Sequence, residues 1–380
     1  MTTTHDETST PGAAVTSPPA RRARAGFHPL RVSRLERLTD EAVAISFEVP
    51  EDLRAEFEFT PGQHLTLRRT IDGEEARRSY SICAPAGQGR LRVAVKRIDG
   101  GTFSEWATSA LAEGDVLDVM PPAGRFGVEF TPGRVRHCTA IAAGSGITPV
   151  ISLLETGLLT EPDSRFTLVY GNRTSASVMF LEELADLKNR WPDRLQLIHV
   201  LSREAQDAPL LSGRIDAGKL RLLLTEVLEP GDVQEWFLCG PAEMVEGCRA
   251  ALREAGVPDS AVHHELFHVA GAGPTPRRPR REGEDRGRLS TVVAVLDGRS
   301  TTIQVPADDE PVLDAVLRER ADAPFACKGG VCGTCRALVV EGEVRMDHDY
   351  ALEPAEKAAG YVLTCQAHPL SERVVVDFDR

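Results

Sequence analysis

Short stretches of alternating apolar and polar residues fill the chain from Phe27 to about Phe130. Val43-Ala-Ile-Ser-Phe-Glu-Val49 and Arg90-Leu-Arg-Val-Ala-Val-Lys96 are two of them. A period of two is that of half-buried antiparallel strands. Thr60-Pro-Gly62, Ala86-Gly-Gln-Gly89 and Pro121-Pro-Ala-Gly124 supply turns between them. The pattern predicts a small antiparallel β-barrel, with one helix after Ser104 running through Trp106 to Leu111 and ending at Gly114. After Thr131-Pro-Gly133 the rhythm changes. Strands are expected at Cys138–Ala143, Phe166–Tyr170, Leu195–Leu201 and Val233–Cys239, and helices at Pro149–Leu159, Met179–Asn189 and Ala242–Glu254. That alternation is the signature of an α/β parallel sheet covered by helices on both faces. Gly, Pro, Arg and Glu dominate from Gly271 to Arg288, which reads as a solvated linker. The expected division is a disordered tail at 1–26, a β-barrel at 27–130, an α/β domain at 131–270, a linker at 271–288 and a compact unit at 289–380.

Composition narrows the class. The chain of 380 residues is 42% hydrophobic and 27% charged, as soluble globular proteins are. A net charge of -13 argues against a nucleic-acid binder, which needs a basic face for the phosphates. The tail is rich in Thr, Ser, Pro and Ala and ends in Arg21, Arg22 and Arg24, with no apolar segment after them. It does not read as an export signal, so the expectation is a cytoplasmic enzyme with no membrane contact. The unit from Arg288 onward carries 10 Lys+Arg against 16 Asp+Glu, which suits a partner surface of positive charge.

Cysteine placement carries the first chemistry. Cys83, Cys138, Cys239 and Cys248 are scattered, whereas Cys327, Cys332 and Cys335 fall within nine residues and Cys365 follows. The resulting C-x4-C-x2-C-x29-C is the plant-type spacing for a [2Fe–2S] cluster. Three thiolates from one loop surround the cluster and a fourth closes from a distant element. Gly329, Gly330 and Gly333 let backbone N–H groups approach the sulfurs and offset their charge. A structural zinc site would show paired C-x2-C units, and only one such pair is present.

Five further segments suit a flavin and a dinucleotide. Arg78-Ser-Tyr-Ser81 offers a guanidinium for a phosphate, a ring to stack and a hydroxyl for a ring nitrogen, while Gly100-Gly-Thr-Phe-Ser104 opens a helix whose free N–H groups suit a pyrophosphate. Taken alone, these also fit a surface arginine, a core tyrosine and a plain N-cap at Ser104. Gly144-Ser-Gly146-Ile-Thr148-Pro149 joins a strand to a helix without the full G-x-G-x-x-G, and Ser202-Arg203 follows a strand where an adenosine 2′-phosphate would sit. Cys239-Gly240-Pro241 ends the next strand.

In this order the motifs resemble the ferredoxin–NADP⁺ reductase superfamily fused to a C-terminal plant-type ferredoxin domain. The carriers also include Val95-Lys-Arg97, Met120-Pro-Pro-Ala-Gly-Arg-Phe126, Tyr170-Gly-Asn-Arg173 and Phe237-Leu-Cys-Gly-Pro241. Within that family, Met346-Asp-His-Asp-Tyr-Ala-Leu-Glu353 and Tyr361-Val-Leu-Thr-Cys-Gln366 resemble the reductase subunits that serve phenylacetyl-CoA epoxidase. The resemblance implies an α+β (β-grasp) ferredoxin domain. It implies FAD against Arg78, Ser79, Tyr80, Ser81, Val95, Lys96, Arg97, Thr102, Phe103 and Ser104. It implies NADPH against Gly144, Ser145, Gly146, Thr148, Pro149, Arg173, Ser202, Arg203, Cys239, Gly240 and Pro241. Ser81 is expected at the reactive flavin edge and Cys239 beside the nicotinamide, the two positions closest to catalysis. Cys327, Cys332, Cys335 and Cys365 are expected to hold the iron, and whether Phe267 stacks on the flavin is left open. The acceptor implied is the di-iron oxygenase of a multicomponent complex. The rivals are a reductase for a steroid or aromatic-ring oxygenase, a version that uses FMN and NADH, and a non-catalytic electron carrier or redox sensor.

Overall fold

A computed structural model describes residues 26–268, 289–306 and 310–380. Residues 1–25 of the expected tail and the linker expected at 271–288 lie outside the described residues.

The first unit contains β1 (His28–Thr39), β2 (Ala42–Glu48), β3 (His64–Ile71), β4 (Glu74–Ser81), β5 (Leu91–Lys96), α1 (Thr102–Ser109) and β6 (Val116–Val119). Its antiparallel sheet runs β4-β3-β6-β1-β2-β5, and a single bridge between Ile82 and Val93 brings the two edges together as a barrel. Inward residues such as Leu30, Ile45, Leu65, Val93 and Leu117 pack with Phe103 of α1. The β3–β4 hairpin turns at Asp72 (φ 52°) and Gly73 (φ 85°), the positive pair that a two-residue hairpin of matching twist requires. Helix α1 starts at Thr102, two residues before Ser104, with Gly101 as its N-cap. The Ser104 hydroxyl instead ties the preceding turn: it accepts from the Ile98 N–H at 3.1 Å and donates to the Gly101 carbonyl at 3.0 Å.

The second unit contains β7 (His137–Ala143), α2 (Ile147–Thr160), β8 (Arg165–Asn172), α3 (Leu181–Arg190), β9 (Leu195–Leu201), α4 (Ala217–Glu226), β10 (Glu235–Pro241), α5 (Ala242–Glu254) and β11 (Val262–His268). All its strand pairs are parallel, in the order β11-β10-β7-β8-β9. The apolar runs of β7, β8 and β10 are buried on both faces, against α2 and α3 on one side and α4 and α5 on the other. Alternation does not predict α4 or β11. Three histidines and a glutamate give β11 the composition of a surface strand, although it forms an edge of the buried sheet.

The third unit contains β12 (Leu289–Leu296), β13 (Arg299–Pro306), α6 (Val312–Glu319), β14 (Arg336–Glu341), β15 (Val344–Met346), α7 (Pro354–Ala358), β16 (Tyr361–Leu363), β17 (Ala367–Pro369) and β18 (Arg373–Asp377). The mixed sheet runs β13-β12-β18-β14-β16, with β12 and β18 parallel, and α6 buries Val312, Leu313, Ala315 and Val316 on it. The cysteine loop spans the gap between α6 and β14. Among the described residues no helix is long and apolar enough to cross a membrane.

Candidate functional site

The three units meet at one cavity of about 1020 Å³. The barrel contributes Arg78, Ser79, Tyr80 and Ser81 from the end of β4, Lys96 and Arg97 from the end of β5, and Gly101 and Ser104 from the start of α1. The parallel sheet contributes the carboxyl ends of its strands: Gly144, Ser145 and Thr148 after β7, Arg173 after β8, Ser202 and Arg203 after β9, and Gly240 and Pro241 at the end of β10. That is where open α/β sheets bind their ligands. The cysteine loop closes the far side with Cys327, Val331 and Cys332.

Local folding explains why these groups converge. Tyr80 packs on Phe103 with ring centroids 5.5 Å apart, which fixes the ring at the cavity wall, and burial pushes its phenol upward. Lys96 is held below the usual lysine range by burial and by Arg173, against the pull of Glu41. Cations from two units thus gather over one opening, as a diphosphate requires. Gly144 has φ +55°, and nothing lies within 4 Å of where its Cβ would stand, leaving an open cradle between β7 and α2. Tyr170 braces that turn by donating to the Gly144 carbonyl at 2.9 Å. Gly146 must be glycine for another reason. A Cβ there would lie 2.2 Å from the Cys239 carbonyl, so only a bare backbone lets α2 approach β10.

Cys332 beside Cys327 and Cys335 beside Cys365 hold the Cys327 and Cys365 thiols below the usual range. The Gly329 N–H donates to Cys327 Sγ at 3.3 Å, and the Gly330 N–H favours the Cys365 thiolate. Among the described residues no three or more His, Cys, Asp or Glu side chains are gathered closely enough to hold a single ion. The C-x4-C-x2-C-x29-C spacing of the four cysteines fits a [2Fe–2S] cluster, whereas a structural zinc site would show a second C-x2-C pair.

Not every expected residue lines the cavity. Val95 and Phe103 are fully buried in the barrel core, Gly146 and Pro149 are buried in α2 or its lead-in, and Thr102 is exposed outside the cavity lining. Cys335 and Cys365 lie behind Cys327 and Cys332. Cys239 is wholly buried beneath the floor. Burial, with Glu265 nearby, raises its thiol well above the usual range. Phe267 does line the cavity.

The structure also brings in residues that the motifs do not mark: His64, Arg214, Asp216, Glu243 and Glu265. Glu265 pairs in register with Cys239 on β10, and Ser81 Oγ donates to its Oε2 at 3.4 Å. Burial pushes its carboxyl up to about 8, with Cys332 adding to the rise and Ser81 opposing it. His64 lies opposite Ser81 on β3, and burial pulls its imidazole down to about 4, so it stays neutral.

A flavin-side barrel, a nucleotide-side sheet and a four-cysteine loop around one cavity define an NAD(P)H-dependent oxidoreductase with FAD and [2Fe–2S] domains. Residues 29–128 match the family model for an oxidoreductase FAD-binding domain, 140–250 that for an oxidoreductase NAD-binding domain and 294–370 that for a 2Fe-2S iron-sulfur cluster binding domain. The chain belongs to the ferredoxin–NADP⁺ reductase superfamily, in the branch that carries a C-terminal plant-type ferredoxin domain. It is 48% identical over 353 residues, 93% of this chain and 98% of the other, to a component of the 1,2-phenylacetyl-CoA epoxidase of Escherichia coli (strain K12). It is 36% identical over 355 residues, 92% of this chain and 96% of the other, to the ferredoxin reductase component of 3-ketosteroid-9-alpha-monooxygenase of Rhodococcus rhodochrous. Phthalate dioxygenase reductase shares the fold over 93% of this chain and 98% of its own, with a TM-score of 0.55 and 22% identity.

Proposed function

We propose that the chain takes hydride from NADPH and passes single electrons, through its cluster, to the di-iron oxygenase of a phenylacetyl-CoA epoxidase in the cytoplasm. The observation that carries this reading is the shared cavity, where Ser81, the Gly144 turn and Cys332 line one space. FAD, when bound, accepts hydride and releases electrons singly, and the [2Fe–2S] cluster carries them one at a time.

The chain's own residues supply orientation and charge. Arg78, Lys96 and Arg97 neutralise the flavin phosphates, with Thr102 to Ser104 beside them at the start of α1. Tyr80 and Phe267 bound the ring, Val95 and Phe103 support that wall from the core, and Ser79 and Ser81 offer hydroxyls. Ser81, hydrogen-bonded to Glu265, places its hydroxyl at the reactive edge. Gly144, Ser145 and Thr148, set by Gly146 and Pro149, cradle the nucleotide pyrophosphate. Arg173, Ser202 and Arg203 take the adenosine end, and Gly240 and Pro241, over Cys239, shape the nicotinamide floor. Cys327, Cys332, Cys335 and Cys365 hold the cluster. The working units are 27–130, 131–270 and 289–380.

The identity of 48% to a phenylacetyl-CoA epoxidase component, against 36% to a steroid monooxygenase component, favours the first acceptor. Turnover with purified oxygenase subunits tests it: epoxidation of phenylacetyl-CoA driven by NADPH is expected. Support of a steroid hydroxylase, with none for the epoxidase, would move the chain to the second acceptor.

A further inference from the structure

We propose that Arg125 and Arg77 are positioning residues for the flavin-to-cluster step: gripping Glu356 and Phe325, they hold the cysteine loop against the cavity. The inference rests on the electron path proposed above.

Both arginines belong to the barrel, and both receptors belong to the ferredoxin unit. Arg125 Nη1 lies 2.6 Å from Glu356 Oε1, and Arg336 Nη1 reaches the same oxygen at 2.6 Å. The other oxygen, Oε2, accepts the Glu353 N–H at 3.1 Å at the start of α7. Glu356 is therefore fixed inside its own unit before Arg125 arrives, an anion already aimed at the barrel. Its side chain is 11% exposed and that of Arg336 is 6%, whereas Arg125 is 63% exposed. Arg336 directly follows the cluster ligand Cys335 and lies 4.2 Å from the ring centroid of Tyr361. Glu356 is thus linked through one side chain to the end of the cysteine loop.

The other end of the loop is gripped as well. Phe325 stands two residues before Cys327, and the Arg77 guanidinium lies 4.1 Å from its ring centroid. Arg77 is nearly buried, also faces Phe27 at 5.2 Å, and is tied to Glu75 at 2.6 Å. An arginine so immobilised offers a flat cation for an aromatic ring. It is the immediate neighbour of Arg78 in the cavity wall. The backbone two residues before Arg125 is held to the barrel by the bridge between Ala123 and His64 on β3. Residues 326–335 are therefore clamped at both ends by a barrel that also builds the flavin wall. Cys327 and Cys332 face the cavity because of that clamp. The Pro-Pro-Ala-Gly-Arg segment at 121–125 acquires a function: it is a docking element for the cluster unit.

The test uses the full chain loaded with FAD and cluster, mixed anaerobically with NADPH. Arg125→Glu should leave flavin reduction unchanged and slow cluster reduction roughly two- to fivefold, the range for one exposed ion pair. Arg125→Lys should restore most of the rate. Added salt should slow cluster reduction in the native chain and have less effect on Arg125→Glu. Phe325→Leu should slow the same step with little response to salt. A readout independent of turnover is the radius of gyration from X-ray scattering, which should rise in Arg125→Glu. Cluster reduction and scattering identical to the native chain in both variants would overturn the clamp. A native cluster that NADPH never reduces would overturn the electron path itself, and is a separate result.

Discussion

Glu265 shows how much of this site depends on a single side chain. Its carboxyl lies between Ser81 Oγ and the cysteine loop, and burial pushes it up to about 8. At neutral pH it therefore carries a proton. Above that value an anion would stand beside the edge where negative charge arrives, opposing its transfer. The rate of NADPH-driven flavin reduction should fall as pH rises through about 8. Glu265→Gln keeps the shape, removes the titration and should flatten the profile, as rapid mixing across pH would show. The stability linkage has the same sign. A carboxyl raised from 4.5 to about 8 contributes stability that is whole below 4.5 and lost as pH rises through the folded value. Ser81 is legible in the sequence because Arg-Ser-Tyr-Ser, ambiguous alone, falls in the motif order of the reductase superfamily. Glu265 is not, because its place is created by the parallel pairing of β11 with β10, and no local spacing encodes that.

At the scale of elements, the carboxyl ends of β7, β8, β9 and β10 supply the nucleotide side. The Arg203 N–H donates to the Arg173 carbonyl at 2.7 Å, which sets the two turns side by side and leaves both guanidiniums at the cavity. A charge-assisted hydrogen bond contributes on the order of 1.5–3 kcal/mol, and each 1.4 kcal/mol or so is tenfold in affinity. Arg203→Ala should therefore weaken NADPH binding roughly ten- to a hundredfold on those magnitudes. NADH use should change little, a split that steady-state titration with both nucleotides would reveal. Equal losses would place Arg203 away from the 2′-phosphate. Most of these elements were legible because buried parallel strands read as continuous apolar runs, as in Cys138–Ala143 and Phe237–Cys239. Helix α4 mixes Lys, Arg and Thr with leucine, and α1 begins on Gly101 and not on a side-chain cap, so periodicity gave neither boundary.

At the scale of the whole molecule, the three sheets could be inferred separately from pattern and motif. Their meeting point could not. Contacts between distant residues decide it: Arg125 with Glu356, Arg77 with Phe325, and Ser81 with Glu265. Ser81 and Cys332 thereby line one cavity, the basis of the electron route proposed above. The cluster loop was legible from cysteine spacing alone because one short segment supplies three of its ligands. The direct test of this route is anaerobic mixing of the intact, fully loaded chain with NADPH, following flavin absorbance and the cluster's paramagnetic signal together. Bleaching of the flavin followed by the appearance of a reduced cluster in nearly every chain is the predicted result. A fully bleached flavin beside a cluster that stays oxidised would contradict it.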